Sequence, residues 1–487
     1  MSSNPFYTVF KRSLFFVLLL AVACQPTAAD PETSPEEVVA EETVESTAVA
    51  NSTEEPAVND RVQIRWFVGI GAGSEPPLFE PQARFVEEFN NSQDEIELIL
   101  DIVDSDLSTN ILVEEFAEGN PPDIVGPIGI RGRDTFLGKW LDLSSYVEAT
   151  NYDFSGIDPA LVDFYEQDGS LTGLPFAVYP SAIFFNQDLF DAAGVPYPPQ
   201  EYGQDYTDIN GQTRVWDMNA LRDVAMLLTL DANGRNATDP EFDHDNIVQY
   251  GYDLSWTDLR GHLTLFGAES LVDTNGRARL PLNWQSGLQW YYDGFWRDYF
   301  VPNAEANPEI LPDSNGFSAG NVAMIHSHLW FAGCCMSSID ANWDTAIVPS
   351  FKGTTVAKLH ADTFHITAAT EHPDEAFEVL TYLVGEGSND LLQVYGGMPA
   401  RTAVQDEFFE EFSRDRYQEQ DINWQVVIDG ASFADNPSHE SYLPNFLAAE
   451  VRYQEFWTLL TSEPDLDLAQ EIDILIDDLQ TIYDSVP

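Results

Sequence analysis

The chain has 487 residues, of which 44% are hydrophobic and 13% aromatic, and this content excludes a purely disordered or fibrous protein. It carries 82 Asp and Glu residues against 21 Lys and Arg residues, which gives a formal net charge of −61. Nucleic acids and anionic lipid surfaces are poor partners for such a chain, because binding them takes clustered cations. The charge predicts a strongly anionic surface, and a saline habitat, where salt screens self-repulsion, is one interpretation of it.

The N-terminal residues have the pattern of an export signal. Lys11 and Arg12 precede an apolar run at residues 14–23, which is shorter than the ~20 residues of a membrane-spanning helix. The run ends in Leu-Ala-Val-Ala-Cys, which resembles the lipobox of bacterial lipoproteins. We therefore expect residues 1–23 to be a lipoprotein signal peptide and Cys24 to be lipidated. An ordinary secretory signal that is cut near Ala23 is the alternative.

Residues 24–60 are expected to be an acidic, disordered tether. This stretch is rich in Pro, Glu, Thr, Val and Ala and contains no Lys or Arg. It cannot bury enough apolar surface to offset its ordering entropy. Beyond Cys24 the only cysteines are Cys334 and Cys335, for which we expect a packing role, with a disulfide between them as the alternative.

An alternation of strand and helix patterns begins after the tether. Residues 61–68 have the apolar pattern of a strand, and a glycine-rich loop follows at residues 69–73. Apolar residues recur at helical spacing within residues 81–89, and residues 96–103 predict a second strand. This order predicts a βαβ unit in a parallel sheet.

The alternation continues with a helix pattern at residues 111–117 and a short strand at residues 123–125. Ligands of open α/β sheets bind beyond the carboxyl ends of the strands. We therefore expect Trp66, the glycine-rich loop and residues 126–128 to line one rim of a binding site.

Neither a nucleotide nor a metal cofactor is expected. The glycine-rich loop has Ser74 at the last glycine position of a dinucleotide fingerprint, and prolines follow where the helix should begin. His326 and His328 are two apart on a strand-like segment, so they are expected to point to the same face, and His360 follows later. Zinc or copper needs three or four converging ligands, and the sequence gives no sign of that convergence.

Several segments resemble the extracellular solute-binding proteins of ABC importers, in the family that includes maltose- and other sugar-binding lipoproteins. The most specific is residues 173–195, where Gly-Leu-Pro-Phe is followed by Phe-Phe-Asn-Gln-Asp-Leu-Phe. The resemblance covers residues 61–480, and its further segments lie at residues 316–324, 343–349, 372–380 and 396–401.

The resemblance implies an α/β, two-lobed periplasmic-binding-protein fold, with a ligand cleft between lobes that are joined by hinge strands. The first crossing is expected near residues 174–178 and the return near residues 360–366. The implied domains are residues 61–175 plus about 362–405 for lobe I and residues 176–361 plus about 406–487 for lobe II.

The function implied is that of an extracellular binding component that captures a carbohydrate by lobe closure and delivers it to an ABC permease. The protein is expected to be a monomer, lipid-anchored at the outer face of the cell membrane or periplasmic, without catalytic residues. A peptide, polyol or polyamine is the alternative ligand. A lipid-anchored carbohydrate hydrolase is less favoured, since His-Glu-x-x-His does not occur and the abundance of carboxylates has no diagnostic weight for a glycosidase.

Sugar sites combine aromatic platforms with carboxylate, amide and guanidinium partners. Some candidates also have a purely structural interpretation, because Trp66 could close the sheet edge, Asp104 could cap a helix and Arg401 could clamp a carboxylate of the protein. The candidate platforms are Trp66, Tyr179, Trp256 and Trp330, and the candidate polar partners are Asp104 and Arg401.

Overall fold

The computed structural model describes residues 61–485 apart from residues 168, 255–258, 313–314, 337–338, 418–419 and 436–439. The predicted signal peptide, the lipidation residue Cys24, the tether and Trp256 lie outside the described residues. No helix in the described part of the chain has the length and apolar character needed to cross a membrane.

Strands and helices alternate along the first half of the described chain, and helices dominate its end. The strands are β1 Val62–Val68, β2 Ile96–Ile102, β3 Ile124–Gly129, β4 Glu166–Gln167, β5 Ser170–Leu171, β6 Ala177–Asn186, β7 Tyr206–Thr207, β8 Thr213–Arg214, β9 Leu230–Asp231, β10 Ile247–Gln249, β11 Asp253–Leu254, β12 Met324–His328, β13 Trp343–Ala346, β14 Leu359–Ile366 and β15 Met398–Pro399. The helices are α1 Pro76–Ser92, α2 Ser105–Glu118, α3 Ile130–Thr135, α4 Ser144–Thr150, α5 Pro159–Asp163, α6 Gln187–Ala193, α7 Met218–Leu228, α8 Leu259–Thr264, α9 Leu282–Trp296, α10 Trp330–Cys334, α11 Pro373–Val384, α12 Ser388–Tyr395, α13 Gln405–Arg416, α14 Gln425–Gly430, α15 Phe446–Ser462 and α16 Leu468–Asp484.

The predicted βαβ unit is confirmed. Strand β1 pairs in parallel with β2, with Val62 opposite Ile96, and β3 joins the other side of β1 in parallel. Helix α1 begins at Pro76, earlier than the apolar pattern alone indicated. Proline is tolerated in the first helical turn because the N–H groups there have no intrahelical acceptor, so Pro76 and Pro77 start the helix rather than block it.

A nine-stranded sheet in the described chain has the central order β11-β12-β6-β14-β3-β1-β2, and β13 and β15 also pair with β6. Strands β1 to β3 are parallel, whereas β14 runs antiparallel to both β3 and β6. Strand β6 also runs antiparallel to β12. The result is a mixed α/β architecture, as the sequence predicts.

Both faces of the β1–β3 part of the sheet are covered, which explains its nearly continuous apolar strands. Trp66 faces α1 and packs edge-on against Phe85 and Phe364. Its neighbour Phe67 points to the opposite face, where it is buried with Leu112 of α2 in a second, smaller cluster. Alternation along β1 therefore places aromatic residues in two separate apolar layers.

Candidate functional site

Strands β6 and β14 connect the two groups of strands in the sheet. Their shared segment pairs Leu359 with Pro180 and Asp362 with Ala177. Beyond this segment, β6 continues between β12 and β13, and β14 continues along β3. Side chains on this segment therefore lie where the β1–β3 group meets the β11–β13 group.

One face of this junction carries a cluster of rings, which we call the aromatic cluster: Tyr179, His328, Trp330 and His360. The antiparallel registers place His360 opposite Tyr179 and His328 opposite Ser181, so these side chains share a face. Ring centroids of His328 and Trp330 are 4.3 Å apart, those of His328 and His360 are 4.4 Å apart, and those of Tyr179 and Trp330 are 5.5 Å apart.

The aromatic cluster is partly open to solvent. Trp330 and His360 are half-buried, whereas Tyr179 is only 2% exposed and His328 is fully buried. The Tyr179 hydroxyl has no hydrogen-bond partner among the described residues. Gly397 approaches so closely that a Cβ there would lie 2.9 Å from this hydroxyl oxygen, so glycine leaves the space it needs.

Asp362 lies on the same face, next to the aromatic cluster. It pairs with Gly129 of β3, and a Cβ on Gly129 would lie 2.9 Å from its Oδ1, so glycine again makes room for a polar group. Burial raises the pKa of this half-buried carboxyl to about 7. Burial and then the Asp362 charge raise the pKa of Tyr165 and Tyr179, which places both phenols near the carboxyl. Within the described chain the Tyr165 hydroxyl also lacks a partner.

Charged groups beside this face are paired with one another. Lys358, immediately before β14, is fully buried and its Nζ lies 3.3 Å from Asp435. The same carboxylate receives a hydrogen bond from Arg260 at 2.9 Å, and its other oxygen accepts from the Leu359 N–H. This ion cluster fixes the start of β14 and pairs both Lys358 and Arg260 with buried carboxylates.

The junction therefore presents rings, phenol hydroxyls and a carboxyl group that is half protonated near neutral pH. Such a surface suits a ligand with an apolar face and hydroxyl groups along its edge. Among the described residues, no group of three or more His, Cys, Asp or Glu could hold a metal ion.

Residues 84–390 match the model of the family described as bacterial extracellular solute-binding protein. The chain belongs to this family. Its members are binding proteins that capture solutes for import. No curated protein sequence matches the chain significantly.

Solved structures of solute-binding proteins share the fold and have two lobes. An ABC substrate-binding protein of Listeria monocytogenes in complex with cycloalternan has a TM-score of 0.66 at 16% identity, over 87% of this chain and 99% of that one. The maltose/maltodextrin-binding domain of Bdellovibrio bacteriovorus bound to maltotriose has a TM-score of 0.60 at 15% identity, over 86% and 99%. UgpB of Mycobacterium tuberculosis in complex with glycerophosphocholine has a TM-score of 0.66 at 14% identity, over 87% and 98%.

In this solute-binding protein the predicted contact residues fall in different places. The structure brings Tyr179 and Trp330 together in the aromatic cluster. Trp66 is 0% exposed and its indole N–H donates to the Gly126 carbonyl at 2.7 Å, so it has no surface that a ligand could touch here. Trp256, the remaining platform, is not among the described residues.

The two predicted polar partners have structural contacts instead. Asp104 caps α2, since its side chain accepts a hydrogen bond from the Asp106 N–H at 2.9 Å. Arg401 donates to the main-chain carbonyls of Ser155 at 2.5 Å and Asp153 at 2.9 Å. It therefore clamps a turn through carbonyl groups, not through the carboxylate that the sequence suggested.

Sequence reasoning missed the roles of Asp362 and His360. Both lie in the predicted return crossing, where polar residues alternate with apolar ones, and that alternation was the available signal. It also expected a packing role for Cys334 and Cys335, which form a disulfide with a Cα–Cα distance of 3.7 Å. The disulfide lies at the C-terminal end of α10, the helix that begins with Trp330.

Proposed function

We propose that this protein is the carbohydrate-binding component of an ABC importer and that the aromatic cluster with Asp362 is its ligand site. The observation that carries the proposal is the position of Tyr179, His360 and Asp362 on β6 and β14, the only two strands within the described sheet that link its two strand groups. The rings of His328 and Trp330 pack against His360 at the same place. A ligand held there would contact both groups and would favour their closure about it.

The proposed division into lobes rests on the same strands. We infer that residues 61–175 with about 362–405 form lobe I and that residues 176–361 with about 406–487 form lobe II. The pairing of β14 with both β3 and β6 supports a hinge at this segment. We also infer that the protein is monomeric and is held at the outer face of the membrane by lipid on Cys24.

A carbohydrate is favoured because the ligand-facing side of the junction is dominated by aromatic and uncharged imidazole rings, although the whole chain carries a net charge of −61. Burial keeps the pKa of His328 well below its ordinary value, so this imidazole is uncharged at neutral pH. Trp330 offers a stacking surface. A ligand hydroxyl would supply the hydrogen bonds that the buried hydroxyls of Tyr165 and Tyr179 lack in the described chain. The bound carbohydrates of two similar structures support the same class.

An organic cation such as a polyamine is the second candidate, and Asp362 is the observation in its favour. No ion pair to this half-buried carboxyl occurs among the described residues, and an ammonium group would supply one. A cation would then bind more tightly as the pH rises through about 7, because binding takes the ionised carboxylate. A neutral carbohydrate would show no such gain.

Calorimetry with maltotriose, cycloalternan, glycerophosphocholine and spermidine tests the proposal. We expect a carbohydrate to bind and Trp330→Ala to weaken its binding by about tenfold or more. Tyr197→Ala is the matched control, because Tyr197 packs on Phe185 at the far end of β6. Binding of spermidine alone, or full affinity in the Trp330 variant, would overturn the carbohydrate site.

A further inference from the structure

A row of buried imidazoles continues inward from the aromatic cluster. His326 and His328 lie two positions apart on β12 and are both fully buried, with ring centroids 6.2 Å apart. His262 of α8 is 3% exposed and stacks on Trp457. Burial and then His326 lower the pKa of His262, which places those two rings near each other. We call His262, His326 and His328 the imidazole row.

The polar atoms of this row have unmet hydrogen-bonding capacity. Both ring nitrogens of His326, both of His328 and Nδ1 of His262 have no partner in the part of the chain that the structure describes. The hydroxyl of Ser181, which is opposite His328 and fully buried, also has none. Buried polar groups in folded proteins are almost always paired, with protein or with ordered water. A cluster of this size is therefore a candidate binding site for the oxygen atoms of another molecule.

The protonation state of the imidazole row determines which oxygen-bearing groups can bind there. Burial keeps these rings uncharged, and it lowers the pKa of His326 to about 4. A neutral imidazole has one donor and one acceptor nitrogen, so each ring fits a group that both accepts and donates. Hydroxyl groups and water do both, whereas an ionised carboxylate only accepts and ammonium only donates. A bound metal is not favoured, since no described set of three or more ligands could hold one.

The aromatic cluster lies between the row and solvent. His328 belongs to both groups, and its ring contacts those of Trp330 and His360, which are half-buried. A ligand that stacks on Trp330 would therefore have its next polar groups beside His328 and Ser181.

We propose that the imidazole row with Ser181 is an inner subsite that binds hydroxyl groups of the carbohydrate and holds water when no ligand is present. The identity of the ligand rests on the proposed function, but the presence of hydroxyl or water oxygens does not. The row would select ligands long enough to reach past Trp330.

A high-resolution crystal structure of the ligand-free full chain tests the hydration. We expect water oxygens within about 3.2 Å of the ring nitrogens of His326 and His328 and of the Ser181 hydroxyl. Rings in dry apolar contact would overturn the subsite, and so would a metal ion bound to them. This result stands even if no carbohydrate binds, so it separates failure of the subsite from failure of the proposed function.

Calorimetry with maltose and maltotriose then tests the hydroxyl contacts. We expect His328→Phe to weaken maltotriose binding by about tenfold and His328→Gln, which keeps a donor and an acceptor, to stay within about threefold of the parent. His244→Phe, at a half-exposed site outside the row, is the matched control. Equal binding by parent and His328→Phe protein would overturn the proposal. If the Phe variant does not fold, a His326→Gln and His328→Gln pair that loses binding despite native stability would overturn it as well.

Discussion

Two tryptophans, Trp66 and Trp330, mark regions that look alike in composition and differ in hydrogen bonding. Around Trp66 the rings of Phe85 and Phe364 pack at edge-on angles, and the indole N–H is satisfied by the Gly126 carbonyl. The region is closed, since Trp66 has no exposed surface. This region is therefore part of the core, and the Trp66 indole needs no hydrogen bond from a ligand or from water.

Around Trp330 the same density of rings surrounds polar atoms that have no partners in the described chain. Tyr179, Ser181, His326 and His328 all contribute such atoms. Leaving one buried donor or acceptor unpaired costs about 1–3 kcal/mol. Several unpaired groups in one place therefore indicate that a ligand or water pairs with them. The comparison teaches that unmet hydrogen bonds, rather than aromatic content, separate the proposed ligand site from the closed region around Trp66.

Removing the two indoles should separate stability from binding. We expect Trp66→Ala to lower the free energy of unfolding by about 3–5 kcal/mol, because it leaves a large cavity in a closed core. Trp330→Ala should cost less than about 2 kcal/mol, since Trp330 is half-buried, while it weakens carbohydrate binding. Urea denaturation and calorimetry measure the two effects. Equal losses of stability would contradict the distinction between the regions.

The Asp362 carboxyl should make the junction sensitive to pH. Its pKa is raised from the ordinary value of 3.8 to about 7 in the folded protein, so the folded state holds the proton more tightly than the unfolded state. The stability that Asp362 contributes is therefore complete below about pH 4 and is lost as the pH rises to about 7. An asparagine has no proton to lose. With a discount for partial exposure, Asp362→Asn should gain about 1–2 kcal/mol over the parent at pH 8 and nothing at pH 4.

Urea denaturation of parent and variant at the two pH values checks this expectation. Asp273→Asn is the control, because its effect on stability should depend on pH in the opposite direction. The backbone N–H groups of Arg277 and Asn275 lower the pKa of Asp273, so its stabilising effect is present at pH 8 and is lost in acid. A pH-independent effect of Asp362→Asn would mean that the carboxyl is not buried as the junction requires.

Local patterns were enough to predict the closed region but not the open one. The apolar periodicity of the sequence indicates both β1 and β2, and these strands are neighbours in the chain as well as in the sheet. The βαβ unit and its strands were therefore predicted correctly. Whether Trp66 faces a ligand or α1 depends on what covers each face of the sheet. Because α1 and α2 cover both faces, Trp66 is core although it stands near the end of its strand.

The junction depends on contacts between residues that are far apart in sequence. Asp362 lies close to Gly129 and Tyr179 only because β14 pairs with β3 and with β6 in the observed registers. The alternation of His326 with His328 indicated a shared face, and that part of the prediction is confirmed by the pairing of β12 with β6. Nothing local could show that these imidazoles lack partners, because that depends on the whole fold.

Paired and unpaired phenols offer a finer test of the same comparison. The hydroxyl of Tyr453 is 2.9 Å from that of Tyr483, whereas the equally buried Tyr179 hydroxyl has no partner in the described chain. Tyr453→Phe should cost about 1 kcal/mol of stability, and Tyr179→Phe should cost nothing or stabilise the ligand-free protein. The Tyr179 variant alone should lose carbohydrate affinity. Thermal unfolding and calorimetry measure both, and equal destabilisation by the two variants would show that Tyr179 has a hidden partner within the fold.

The smallest expected effect concerns a carboxylate whose hydrogen bond is already made. Asp104 accepts from the Asp106 N–H at the start of α2, as a helix N-cap does, while Asp362 has no such donor among the described residues. Asp104→Ala should therefore lower the free energy of unfolding by about 0.5–1 kcal/mol, and Asp104→Ser, which can still cap the helix, should restore most of it. Neither change should alter carbohydrate affinity if capping is the whole role of this carboxylate. A loss of affinity in both variants with unchanged stability would instead make Asp104 a ligand contact, and exposed carboxylates with local partners would then have to be counted with the binding surface.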